Sequence, residues 1–359
     1  MAEPRFTDKT LYGTSGHPRM SDINQDSIGD CYFVAPLGAL AEQQPSRVEN
    51  AIQYNADKNT FTVTLYKEEG TGPLGLFGTE VKPVKIEVTQ AELEYNLKRG
   101  GGSTVDNNPG TNGPIWPAVM ETAFAKMHDS DPKDGLKEGF DAIEGGKSYN
   151  ANFALTGLKS ETVSASSIDS MGMDEALKKI DGAMKEHRPV SLSTDPEKTS
   201  SLFGLVGTDA PQDGLVDNHV YMVEKIYKDT NGDVQVQVRN PWASNAGVGE
   251  GHDTPNASIT VKLKDIVDGG GLEMFDIGPK PTEKPTLAQA TTGDRHVDAM
   301  LASLDNPAAM RESMKTLAAS ADAQAFVADG RAQADQQQAA AEVKPAEPAP
   351  AQTTPAMRM

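Results

Sequence analysis

Between Val220 and Asn240 the sequence specifies one β-hairpin, and this hairpin constrains the chain more than any other feature. Val220-Tyr221-Met222-Val223-Glu224-Lys225-Ile226-Tyr227 is a β-branched and aromatic run, and Lys228-Asp229-Thr230-Asn231-Gly232-Asp233 carries an Asn-Gly turn signal. Val234-Gln235-Val236-Gln237-Val238-Arg239-Asn240 then alternates apolar and polar residues with the period of a strand. A turn centred between Thr230 and Asn231 sets the residue opposite His219 within two positions of Asn240, and cross-strand neighbours lie roughly 5 to 8 Å apart. The hairpin by itself brings an imidazole and a carboxamide together. An amide oxygen that accepts from one ring N–H fixes the tautomer and leaves the other ring nitrogen to take a proton. Of the six histidines (His17, His128, His187, His219, His252, His296), His219 is singled out by this position.

That proton needs a donor, and Cys31 is the one cysteine of the chain. It has no intramolecular disulfide partner and no second thiol for a cysteine metal site, so it is either a small buried hydrophobe or a reagent. The polar, turn-prone stretch 21–30 runs into the apolar Tyr32-Phe33-Val34-Ala35-Pro36-Leu37-Gly38-Ala39-Leu40-Ala41. A helix is expected to start at about Asp30 or Cys31 with Asp30 as N-cap, and a thiol at that helix end is expected to be drawn toward the thiolate by the dipole and the unpaired N–H groups. Pro36 lies about a turn inside, where it removes a backbone bond at up to ~3 kcal/mol unless the helix kinks or starts later.

Composition narrows the partners. The chain has 359 residues, 37% of them hydrophobic, and its acidic residues outnumber basic ones 52 to 33 for a net charge of -19. That charge repels phosphate backbones and anionic headgroups, so neither nucleic acid nor a membrane surface is expected as a partner. Residues 1–20 contain no apolar run like that of a signal peptide, and no stretch is long enough to span a bilayer. A cytoplasmic protein is expected, with export that uses no classical signal left open.

Four blocks in order carry a resemblance. Gln25-Asp26-Ser27-Ile28-Gly29-Asp30-Cys31-Tyr32 resembles the Gln-Gly-x-x-Gly-Asp-Cys-Trp block of calpains, and Gly214-Leu215-Val216-Asp217-Asn218-His219-Val220-Tyr221-Met222-Val223 is similar to their Gly-Leu-Val-x-Gly-His-Ala-Tyr-x-Val block. Arg239-Asn240-Pro241-Trp242 repeats a third block, and Ile115-Trp116-Pro117-Ala118-Val119-Met120-Glu121-Thr122-Ala123-Phe124-Ala125-Lys126 resembles the family's Trp-x-Ala-Leu-Leu-Glu-Lys-Ala-Tyr-Ala-Lys helix. The resemblance covers about residues 20–278 and implies an α+β, papain-like two-lobed fold. The nucleophile would lie in a helical lobe, and the histidine and asparagine in an antiparallel β lobe.

Roles follow at matching positions only. The resemblance makes Cys31 the nucleophile, His219 the general base and Asn240 its orienter, with Gln25 as side-chain donor of the oxyanion hole and Trp242 packed over the His-Asn pair. The implied activity is limited proteolysis of protein or peptide substrates by a cysteine endopeptidase. The sequence departs from the family at Tyr32 for tryptophan, Asn218 and Ala243 for glycine, and Pro36 within the helix. Asparagine is the next best residue where glycine supplies a left-handed backbone. A catalytically silent peptide-binding module is the alternative; an acyltransferase or transglutaminase would more often pair its histidine with aspartate. The family also suggests calcium, and Asp22 matches one acidic ligand. Residues 243–248 hold no carboxylate, and Asp229-Thr230-Asn231-Gly232-Asp233 lacks a terminal glutamate and reads as a hairpin turn. No cofactor is therefore required on this reading.

The expected organisation is an N-terminal extension at 1–20, a helical lobe at 21–165, a β lobe at 166–278, a linker with short helical segments at 279–335, and a low-complexity disordered tail at 336–359. Within it, 81–88 reads as a strand, the glycines at 100–102 and the stretch 107–113 as a loop, and 297–304 and 310–317 as paired helices broken by Asp305-Asn306-Pro307.

Overall fold

The computed structural model describes residues 5–25, 28–70, 79–98, 113–131, 133, 135–196, 213–248 and 253–283, with positions 311, 314, 315 and 318 beyond them. The expected loop at 100–112, His252, His296 and the tail from 336 lie outside the described residues, as do the paired helices at 297–317 apart from three helical positions. The chain divides into two units, residues 1–69 with 79–287 and residues 70–78 with 288–359. In the second, Arg311, Met314, Lys315 and Ala318 are helical and exposed.

The first unit is α+β and holds two hydrophobic cores. One gathers apolar residues from Phe6 to Leu155 around the helices Cys31–Gln43 and Trp116–His128, where the rings of Phe33 and Phe124 stack with centroids 4.0 Å apart. A sheet of strands β1 (Ile52–Asn55), β2 (Thr60–Gly70) and β3 (Thr79–Thr89) closes it. Phe6, Leu11 and Met20 belong to this core, so residues read from the sequence as an extension pack as part of the domain. Tyr32 to Ala41 are buried without a break, which marks a helix surrounded by protein on every side. Pro36 sits inside that helix, which neither stops nor starts late. Packing of Phe33, Val34 and Leu37, all fully buried, offsets the missing backbone bond.

The second core lies on a six-stranded sheet of β4 (Glu161–Ser164), β5 (Val190–Thr194), β6 (Val220–Lys228), β7 (Val234–Arg239), β8 (Ser258–Lys262) and β9 (Leu272–Ile277), in the order β4-β9-β5-β6-β7-β8. Neighbours pair antiparallel throughout. Helix Met173–Lys185 covers it with Ala176, Ile180 and Ala183, spaced to share one helical face.

Strand β6 is the seam between the cores. Val220 and Met222 point into the first core while Tyr221 and Val223 point into the second. This explains an apolar run without alternation at the start of that strand. Helix Cys31–Gln43 approaches β6 so closely that a Cβ on Gly38 would stand 2.4 Å from the Met222 sulfur and 2.8 Å from Ile23 Cγ1. Only glycine permits that contact. In β7 the buried Val234, Val236 and Val238 alternate with less buried residues, as period two requires. The β6–β7 register runs from Lys228↔Val234 to Met222↔Arg239 and slips by one residue between Val223 and Lys225. The extra residue, Glu224, holds the bulge by accepting from Gln237 Nε2 (2.9 Å) and Ser258 Oγ (2.8 Å). Among the described residues, no helix is long and apolar enough to cross a membrane.

Candidate active site

The hairpin mouth holds its two polar residues in the interior. His219 is 4% exposed and Asn240 fully buried, which forces their polar atoms to find partners. His219 Nε2 lies 3.0 Å from Asn240 Oδ1. The roles are settled by a third group: the backbone N–H of Trp242 also points at Oδ1, at 3.0 Å, so that atom is the oxygen and the ring nitrogen carries the proton. Nδ1 is thereby the unprotonated nitrogen of a neutral ring. The imidazole is held between the edge of Tyr221 (centroids 4.9 Å apart, interplanar angle 86°) and the Trp242 ring (4.4 Å, 37°). Trp242 is 38% exposed, so it shields the pair from solvent on its outer side.

His219 is also fixed through its backbone. Its N–H donates to Thr194 Oγ1 at 2.9 Å, and its carbonyl accepts from the Thr194 N–H at 2.9 Å. The Val216 N–H donates to the Tyr221 hydroxyl oxygen at 2.9 Å, which holds the incoming segment. Asn218, just before the histidine, has φ of 51°, the left-handed conformation for which asparagine is suited among non-glycine residues. Ala243, also in place of a family glycine, has φ of 55° with no such aptitude.

Cys31 opens helix Cys31–Gln43 and faces the same cleft as His219 and Trp242, a cavity of about 720 Å³ between the surfaces of the two cores. The N–H groups of Val220, Tyr32 and Cys31 itself converge on the sulfur and favour the thiolate. Burial acts against them and is the larger effect, and the Asp30 carboxylate adds to it, so the thiol is pushed up to about 11. The expectation that the helix end favours the thiolate is therefore corrected. The N-terminal N–H groups are present, but desolvation and a buried acid outweigh them. Asp30 itself makes no side-chain cap bond. Burial also drives His219 down to about 4, against the opposing bond to Asn240. The resting pair is a thiol and a neutral imidazole.

Gln25 lines the cleft, and its backbone N–H donates to Pro241 O at 2.7 Å, joining it to the segment after Asn240. Its side-chain nitrogen donates to Ile28 O (2.8 Å) and Asp30 Oδ1 (2.9 Å), so both amide hydrogens are engaged inside the loop. Its buried Oε1 meets no partner among the described residues. Asp22 lies elsewhere in the fold. Its Oδ2 accepts from Trp116 Nε1 (2.8 Å) and the Arg19 N–H (2.9 Å), and among the described residues no group of three or more His, Cys, Asp or Glu could hold a metal. These residues do not fit a hard cation that takes about six to eight oxygens. In the turn, Asp229 Oδ1 instead accepts from the N–H groups of Asn231 and Asp233, both at 2.9 Å.

Three contributors had no signal in the sequence: Thr194, the Val220 N–H and Asn245. Asn245 Oδ1 accepts from Asn240 Nδ2 at 3.0 Å, and its own Nδ2 donates to Asn256 O (2.8 Å) and Ala257 O (2.9 Å). No local pattern marks a lone asparagine in a loop as a partner of another.

Residues 95–258 match the family model described as calpain family cysteine protease. That span includes His219 and Asn240, while Cys31 lies ahead of it. Calpain-type cysteine proteases of Zea mays (25% identical over 236 residues, 64% of this chain) and Arabidopsis thaliana (25% over 233 residues, 64%) are also similar. The chain spans 9% of the length of these curated relatives. With a hairpin-borne His-Asn pair and a helix-opening cysteine on one cleft, the chain is similar, over residues 95–258, to the calpain family of cysteine proteases.

Proposed function

We propose that this chain is a cysteine endopeptidase with a papain-like two-lobed core, cleaving protein or peptide substrates through an acyl-enzyme. The observation that carries the reading is the 3.0 Å His219–Asn240 bond opening on the cleft that Cys31 faces. Substrate binding expels water and brings a carbonyl carbon to the sulfur. The Cys31 proton passes to His219 Nδ1 as the sulfur–carbon bond forms. Asn240 then accepts a bond from the resulting imidazolium, and the helix-end N–H of Cys31 faces the oxyanion. The imidazolium returns its proton to the leaving amine, leaving a thioester. Water, deprotonated by the same nitrogen, attacks that thioester and releases the acid and the thiol. Because the resting pair is neutral, the charged pair forms only as substrate supplies an electrophile. Gln25 joins the oxyanion hole on this reading by exchanging its bond to Asp30 for the substrate oxygen. No metal takes part in a step.

The test is labelling by a peptidyl epoxide or vinyl sulfone, followed by mass spectrometry, alongside cleavage of an unfolded protein substrate. Labelling at Cys31 and loss of cleavage in a folded Cys31→Ala variant are expected. Retained cleavage in that variant would remove the nucleophile assignment. A wild type that binds peptide without thiol-dependent cleavage would favour a silent peptide-binding module.

A further inference from the structure

The His-Asn pair contains an ambiguity that its own atoms do not resolve. A carboxamide presents an oxygen or an NH2 group to the ring, depending on a half-turn about one bond, and the two orientations demand opposite tautomers of the imidazole. With the oxygen toward His219, Nε2 carries the proton and Nδ1 is the base. With the nitrogen toward it, Nε2 must accept, the proton moves to Nδ1, and no lone pair remains for the thiol. The orientation of Asn240 therefore decides whether the base exists.

Two groups hold that orientation. One is the Trp242 N–H at 3.0 Å from Oδ1. The other is Asn245, fully buried, whose Oδ1 takes Asn240 Nδ2 at 3.0 Å. Asn245 is not free to turn either. Its Nδ2 is engaged by the carbonyls of Asn256 and Ala257 at 2.8 and 2.9 Å, two acceptors that the NH2 end of the amide can face and its oxygen end cannot. Its backbone is fixed to Thr254 by N–H to O bonds at 3.0 and 3.4 Å. The Ala257 carbonyl also accepts from the Asn240 N–H at 2.9 Å, which ties both asparagines to one anchor. Polarity is thus passed along a chain, from two backbone carbonyls to Asn245, to Asn240, to the ring.

We propose that Asn245 is a positioning residue of the catalytic centre, which sets the His219 tautomer by fixing the orientation of the Asn240 amide. The catalytic part of this proposal rests on the peptidase reading; the tautomer part does not.

The experiment compares the full chain with Asn245→Ala and Asn245→Asp by 15N-labelled histidine NMR and by steady-state cleavage of a peptide substrate. The His219 signal is assigned by its loss in His219→Gln. The full chain is expected to show the Nε2–H tautomer. Asn245→Ala should show a mixture or the Nδ1–H form, with kcat down at least about tenfold and KM within about twofold. Asn245→Asp should keep the Nε2–H form, because a buried carboxyl in its protonated state donates its O–H toward the Asn256 and Ala257 carbonyls and leaves its other oxygen to accept from Asn240 Nδ2. Retention of the wild-type tautomer and kcat in Asn245→Ala would overturn the proposal, as would a tautomer change in Asn245→Asp, which also stands alone if the alanine variant does not fold. A tautomer change in Asn245→Ala in a protein with no thiol-dependent cleavage would sink the peptidase reading and leave the positioning role standing.

Discussion

His219 Nε2 donates to Asn240 Oδ1 across the mouth of a hairpin at 3.0 Å, and both residues are shut away from water beside Trp242. A bond of this kind orients the ring but carries no proton to or from substrate. Asn240→Ala is therefore expected to retain more kcat/KM than His219→Ala, by about tenfold or more. Steady-state kinetics on one peptide substrate checks this, and the reverse order would mean that the amide does more than orient.

Burial of the same imidazole, and of the thiol across the cleft, makes stability depend on pH at both ends. His219 is held near 4, whereas in the unfolded chain it titrates near 6.5, so between those values the unfolded state binds the extra proton. Its contribution is present above about pH 6.5 and is lost as pH falls to about 4, by roughly 3 kcal/mol at full protonation. Cys31 has the opposite sense: its thiol stays protonated to about 11 in the fold against 9.0 for an unperturbed thiol, so stability falls as pH rises through that window. Urea unfolding from pH 4 to 7 and from 8 to 11 should show both slopes. His219→Gln should flatten the acid one and Cys31→Ala the alkaline one.

Ala243 holds φ of 55°, a conformation that costs a residue with a Cβ on the order of 1 kcal/mol. Ala243→Gly should remove that strain and stabilise the fold by up to about 1 kcal/mol, with glycine's greater unfolded entropy taking back part of the gain. A lower denaturant midpoint for the variant would show that the alanine methyl group makes a contact worth more than the strain.

Asp22 is committed to Trp116 and the Arg19 N–H, and the turn at Asp229 to its own backbone. Cleavage activity is accordingly expected to persist at a substantial fraction of its maximum in excess chelator. Activation of at least about tenfold by millimolar calcium, a bias of about 1.4 kcal/mol between two arrangements, would contradict this.

The last described packing contacts of the catalytic unit run through Pro279 and Glu283, whose carbonyls accept from Gln44 Nε2 and Arg47 Nη2, both at 2.8 Å. Deleting residues from 300 onward is expected to leave one cooperative unfolding transition and unchanged cleavage, read by urea titration and kinetics. Loss of the cooperative transition would mean that the removed segment is part of the core.

The sequence by itself determined what short-range rules govern. Period two in Val234 to Arg239 and the Asn-Gly turn set the hairpin, and its register carried His219 to the neighbourhood of Asn240. The apolar run after Cys31 fixed a buried helix beginning at the thiol. Tertiary structure alone decided which protonation states those groups hold, because a pKa depends on what covers a group from every side, and burial reversed the shift expected from the helix end. It also decided that the Gln25 amide hydrogens rest on Ile28 and Asp30, and that Asn245 meets Asn240. Such partners depend on where distant backbone carbonyls come to lie, and hydrogen bonds between non-periodic loops leave no pattern in the order of residues.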